Sequence, residues 1–258
     1  MVAMQHFAWI IAVLVACFLA CTAMLALLRH RRRRRDTDSH NEASAAFMGV
    51  AGTFAAIILA FVIILEYEAL SSAEQQTSTE ASQLLELYWA AHALPPASGT
   101  PLKEAVLRYG ELVVGVEWPR MVDGKVDATE GWAAVTRIRL AVENIQPADA
   151  RQATFLASAQ QATADLVAAR QARLALVNAT VSPIIWLVLI TSCAATVSCG
   201  FLFRTERLSS HVVMMGSIIV VIVLNLLVVY ELDHPFSRGI AVSPASISDA
   251  LDHIRRLG

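Results

Sequence analysis

Four stretches of the chain carry no formal charge over about the 20 residues that a bilayer-spanning helix requires: residues 7–28, 43–65, 184–203 and 208–230. Core helices of soluble proteins are seldom so long and so free of charge, so the pattern predicts four transmembrane helices. Pro183 opens the third at a position where a missing N–H costs a helix nothing. The first stretch holds Leu14-Val15-Ala16-Cys17, the short pattern that precedes a lipoprotein cysteine. No basic residue precedes it, however, and the apolar run continues well past Cys17, which favours an uncleaved helix. The chain then divides into a first span with its tail (1–28), an arginine-rich loop (29–42), a second span (43–65), a water-exposed segment (66–182), a third span (183–203), a short loop (204–207), a fourth span (208–230) and a C-terminal tail (231–258).

The water-exposed segment has helical periodicity throughout and no convincing alternation of period two. Leu102, Val106, Tyr109, Val113 and Val116 form one stripe, and Trp132, Val135, Ile138, Val142 and Ile145 another. Thr100-Pro101 reads as an N-cap followed by a first-turn proline, and Asp127 with Glu130 as a capping box. Pro95-Pro96, Pro119 with Asp123-Gly124, and Pro147 divide the segment into four helices. The outer two are expected to continue the spans. No breaker separates Leu65 from His92, and Leu70, Ala73, Thr77, Ala81, Leu84, Tyr88 and Ala91 keep one face over an extension of about 40 Å. A helix from near Asp149 is expected to run through Leu156, Ala159, Leu166 and Ala169 into the third span. The predicted fold is an all-α membrane protein: four transmembrane helices with a helical bundle inserted between spans two and three.

Composition agrees with that pattern. Of 258 residues 56% are hydrophobic and only 16% charged, against about 25% charged in soluble domains. An ordinary soluble globule, a disordered chain and a disulfide-stapled secreted domain are thereby disfavoured. The net charge of −2 hides a local excess: Arg29, Arg31, Arg32, Arg33, Arg34 and Arg35 lie together in the first loop, and Arg204 and Arg207 in the loop between spans three and four. By the positive-inside bias both loops are cytoplasmic, which places both termini and the bundle outside the cytoplasm of a plasma (inner) membrane protein. The arginine run serves as a topology anchor, with anionic lipid headgroups as its candidate partner; no nucleic-acid partner is expected. Cys17, Cys21, Cys193 and Cys199 fall in apolar stretches with no ligand spacing and read as buried structural thiols.

Candidate functional residues are few. Thr191, Ser192, Thr196 and Ser198 in the third span and Asn225 in the fourth are the polar groups from which a hydrated intramembrane path could be built, although small hydroxyl residues and one asparagine equally suit helix packing. Glu66, Glu68, Glu231 and Asp233 form an acidic group at one membrane face that could attract cations, and would make a poor mouth for an anion channel. Trp118 and Trp132 read as bundle-core or interfacial residues. No catalytic, cofactor or metal motif is present, so neither an enzyme nor a cofactor is expected. The small residues Gly49, Gly52, Ala56 and Ala60 suit close helix packing and a homo-oligomer.

Several short motifs, in order, carry a family resemblance. Glu80-Ala81, Leu84, Leu87-Tyr88, Ala91 and Leu94-Pro95 come first, then Tyr109 with Glu117-Trp118-Pro119 and Met121. Arg170, Arg173-Leu174, Pro183 and Trp186 follow, and last Leu232-Asp233-His234-Pro235-Phe236, Gly239, Val242-Ser243-Pro244 and Leu251. Together, over roughly residues 47–255, they resemble the bestrophin-like family of bacterial multi-pass membrane proteins. One departure is Trp89, where the family usually has a basic residue after the tyrosine. Bestrophins themselves are pentameric chloride-conducting channels with four membrane helices per subunit and a cytosolic helical domain. The resemblance therefore implies ion conduction by an oligomer, and an orientation opposite to the one the arginines give. The alternative is a membrane-anchored sensor or scaffold whose exported bundle binds a ligand or protein partner.

Overall fold

The helix that leaves the second apolar stretch does not stop at the membrane boundary. In the computed structural model, which describes residues 38–124, 128–202 and 208–257, α1 runs unbroken over Asp38–His92. It is followed by α2 (Pro96–Leu112), a π-helical turn (Val113–Glu117), α3 (Trp118–Val122), α4 (Thr129–Glu143), α5 (Ala150–Val177), α6 (Pro183–Leu202), α7 (Leu208–Leu232) and α8 (Ala245–Leu257). The described residues are all-helical, with no strand. Three helices are long and apolar enough to cross a membrane, within Ala45–His92, Pro183–Phe201 and Ser209–Leu232. The expected first span, Cys17 and Cys21, Arg29 and Arg31 to Arg35, and Arg204 and Arg207 lie outside the described residues.

The chain forms two compact units. In the first, which includes α6, α7 and the residues of α1 up to Tyr67, Leu59, Val62, Val181, Leu189 and Val229 pack together, with a smaller cluster at Met215 and Ile219. The second unit comprises 68–179 and 234–258. Its core joins Leu84 and Leu87 of α1, Leu102 and Tyr109 of α2, Ile138 of α4, Leu166 of α5, and Ile247 and Leu251 of α8. The segment read from sequence as a tail thus contributes an amphipathic helix to this core, burying Ile247, Ala250, Leu251 and Ile254. Phe236 meets Trp118 edge-on, with ring centroids 5.6 Å apart.

Four local expectations change. The helix from Asp149, whose side chain does cap it through Gln152 N at 2.7 Å, ends at Val177 rather than entering the third span. Pro183 lacks an N–H and disfavours helical backbone at Ser182, and the freed Val181 N–H donates to the Asp233 carboxylate at 2.6 Å. Thr100-Pro101 is not a cap: α2 starts at Pro96 and Pro101 lies inside it, early enough in the helix that little of the backbone ladder is lost. α4 has Ala128 at its N-cap with no side-chain cap bond, and Asp127 lies outside the described residues. Finally, the stripe on α2 buries Leu102, Val106, Tyr109 and Val113 and then Glu117, not Val116. The wider π turn adds backbone to the repeat and shifts the core-facing register by one position.

Candidate functional site: a buried charge network

That register shift puts a carboxylate in the core. Glu117 is 3% exposed, and Glu80, Arg170 and Arg173 are each 0% exposed. Four ionised groups in an apolar interior persist only when paired and hydrogen-bonded throughout. Here they are. Arg173 Nε donates to Glu80 Oε2 at 2.6 Å and its Nη2 to Glu80 Oε1 at 3.1 Å and to Glu117 Oε2 at 3.2 Å. Arg170 Nη1 donates to Glu117 Oε2 at 2.9 Å and its Nη2 to Glu117 Oε1. The Tyr109 hydroxyl donates to Glu80 Oε1 and accepts from Arg170 Nη1 at 3.2 Å. Every carboxylate oxygen is therefore occupied, and the charges balance.

Aromatic and thioether groups close the network. The Arg170 guanidinium lies 5.1 Å from the Trp132 ring centroid and 5.6 Å from that of Tyr109, and Arg173 lies 5.6 Å from Trp118, distances at which the ring faces attract a cation. Arg173 Nη1 also points at Met121 Sδ, 3.0 Å away. Burial pushes the Tyr109 phenol well above its ordinary range, reinforced by the Glu80 charge, so it remains a donor. Burial opposes the charge on Arg173, but the Glu80 and Glu117 carboxylates more than offset it and hold the guanidinium above its usual value. Gly131 completes the arrangement. A Cβ there would overlap the Glu117 carboxylate and the Arg170 guanidinium, so only glycine lets α4 approach the pair.

With its acceptors and charges matched, the cluster is built to hold helices together rather than to exchange protons with a substrate. It ties α1, α2, the π turn and α5. Its members stand in three of the motifs quoted above, but the sequence reading assigned them no role. A signal was present: Arg170 and Arg173 fall on the Ala159, Leu166 and Ala169 stripe, and Glu80 on the face of Ala73, Thr77 and Leu84, where charges are out of place. The departure at Trp89 is offset in space, since Lys103 sets its ammonium 5.2 Å from the Tyr88 ring centroid.

The membrane candidates are not brought together in the same way. Thr191 bonds the Leu187 carbonyl at 2.7 Å, Ser192 that of Leu189 at 2.9 Å, and Thr196 that of Ser192 at 2.9 Å. Asn225 donates to the Val221 carbonyl at 2.8 Å on its own helix. Ser198 is exposed. Of the acidic group, Asp233 is buried and Glu66 half-buried; burial and the nearby Asp233 charge raise the Glu66 carboxyl above its ordinary range. Glu231 is half-buried and Glu68 exposed. Cys193 and Cys199 are buried free thiols.

The motif residues that resembled one family thus converge in a single interior. No curated protein and no solved structure matches the chain. A family profile, the Bestrophin-like domain, matches residues 10–247. Together with three membrane-length apolar helices in an all-helical fold, this match fits a membrane protein, and the chain belongs to the bestrophin-like family.

Proposed function

We propose that the protein is a non-enzymatic, four-span membrane protein that assembles as a homo-oligomer and conducts ions. The observation that supports this most is the outward face of α1. Phe47, Val50, Phe54, Ile57, Phe61 and Ile64 are between 48% and 66% exposed. They follow one another at intervals of three and four residues, so that phenylalanine recurs every seventh position. Seven-residue spacing is the seam of helices packed side by side with a slight supercoil. Lipid imposes no such period, whereas the same face on another copy does. On the opposite side of α1, Ala55, Leu59 and Val62 are buried within the protomer. Purified protein in liposomes of otherwise inert lipid should carry a salt flux. No flux, together with a stable co-purifying protein, would favour the sensor or scaffold instead. That second reading draws on a groove of about 400 Å³ lined by Ser71, Glu74, Gln75, Ser78, Thr79, Ser82 and Ser246.

The orientation belongs to the same proposal: the plasma (inner) membrane, with both termini and the bundle outside the cytoplasm and anionic lipid at the arginine loop. In a cysteine-free background, a cysteine at Ser98 should react with a membrane-impermeant thiol reagent in intact spheroplasts. One at Ser39 should stay protected until the membrane is opened. Neutral replacements of Arg31 to Arg35 should scramble the pattern, because they carry most of the bias. Labelling at Ser39 with protection at Ser98 would establish the opposite, bestrophin orientation.

A further inference from the structure

Resting on the channel reading, we infer that the conducted ion is a cation. The inference starts from the charge of α1. Over Asp38–His92 it carries seven carboxylates (Asp38, Glu42, Glu66, Glu68, Glu74, Glu80 and Glu86) and no lysine or arginine. Only Glu80 faces the bundle interior, where Arg173 and Tyr109 satisfy it.

The outward face has two parts. Its apolar part ends at Ile64. Helical spacing carries the same face on through Glu68, Ser71, Gln75, Ser78, Ser82 and Glu86, all exposed. Ser71, Gln75, Ser78 and Ser82 also line the open groove, in which Glu74 is the charged group and Ser246 of α8 the contribution from another helix. The groove lining is therefore hydroxyl, amide and carboxylate, with no guanidinium, ammonium or imidazole. Oxygen dipoles and carboxylates replace part of a cation's hydration shell, and rings of Asp or Glu are the charge arrangement of cation-conducting pores. In an oligomer with the α1 faces turned to a common axis, each such residue recurs once per subunit, so single carboxylates become rings. At about 0.15 M salt the screening length is about 8 Å, so rings bordering a narrow water path still set which ions enter. The half-buried Glu66, raised by burial and by Asp233, shows that negative charge is already concentrated within the first unit.

The test is the reversal potential of the full-length protein in planar bilayers across a KCl gradient. A K⁺ over Cl⁻ permeability ratio of fivefold or more is expected. The double substitution Glu68→Lys with Glu74→Lys, at exposed positions outside the buried core, should bring that ratio to near one or below while leaving the melting temperature unchanged. A conductance that prefers Cl⁻ would overturn the cation inference and leave the channel reading standing. No conductance in any preparation would overturn both. A cation preference that the double substitution does not alter would overturn its assignment to this face of α1.

Discussion

Replacing Arg173 by methionine is expected to destabilise the protein by about 3–5 kcal/mol, the cost of stranding a buried ionised partner. The methionine fills much of the same space but leaves the Glu80 carboxylate with Tyr109 alone and removes one donor from Glu117 Oε2. At about 2–4 °C per kcal/mol for a chain of this size, a melting temperature lower by roughly 10 °C is expected for the protein in detergent. Glu80→Gln in the same background should recover part of the loss, because a neutral amide has less to lose from isolation. If the single and double variants melt with wild type, the network does not hold the bundle.

Gly131→Ala should cost nearly as much, about 3 kcal/mol, although it adds one methyl group to a helix and improves helix propensity. The methyl falls where the Glu117 carboxylate and the Arg170 guanidinium sit, so either the ion pair separates or α4 shifts. Gly115→Ala is the control. A Cβ at Gly115 meets nothing within 4 Å, and its melting temperature should match or slightly exceed wild type. Equal losses at the two glycines would mean that backbone flexibility, not the close approach to the ion pair, governs Gly131.

Much of the architecture is legible in the sequence because it follows from period and charge. The unbroken α1 is one example: no proline or glycine interrupts it between Thr53 and His92, and one face stays small or apolar throughout. The stripe from Trp132 to Ile145 is another, with Val135, Ile138, Val142 and Ile145 all buried. What the sequence hides is non-local. The π turn at Val113–Glu117 has no composition of its own, yet it decides whether Val116 or Glu117 enters the core. The end of α5 at Val177 depends on a carboxylate 52 positions later that captures the Val181 N–H. The charge network joins residues up to 93 positions apart, and its members look like ordinary surface charges until their stripe is followed. Thr191, Ser192, Thr196 and Asn225 suggested a polar path by residue type alone. Their geometry is local instead, each bonding a carbonyl of its own helix.

The central claim is that the outward face of α1 meets other copies of the chain, and inter-copy disulfide formation tests it most directly. Single cysteines at Phe54, Ile57 and Phe61 in an otherwise cysteine-free protein, oxidised in native membranes, should yield cross-linked oligomers. Cysteines at Ala55, Leu59 and Val62, buried within the protomer, should yield none. Cross-linking that follows this alternation is the expected result; monomers at all six positions, from protein that is folded by its melting temperature, would contradict it.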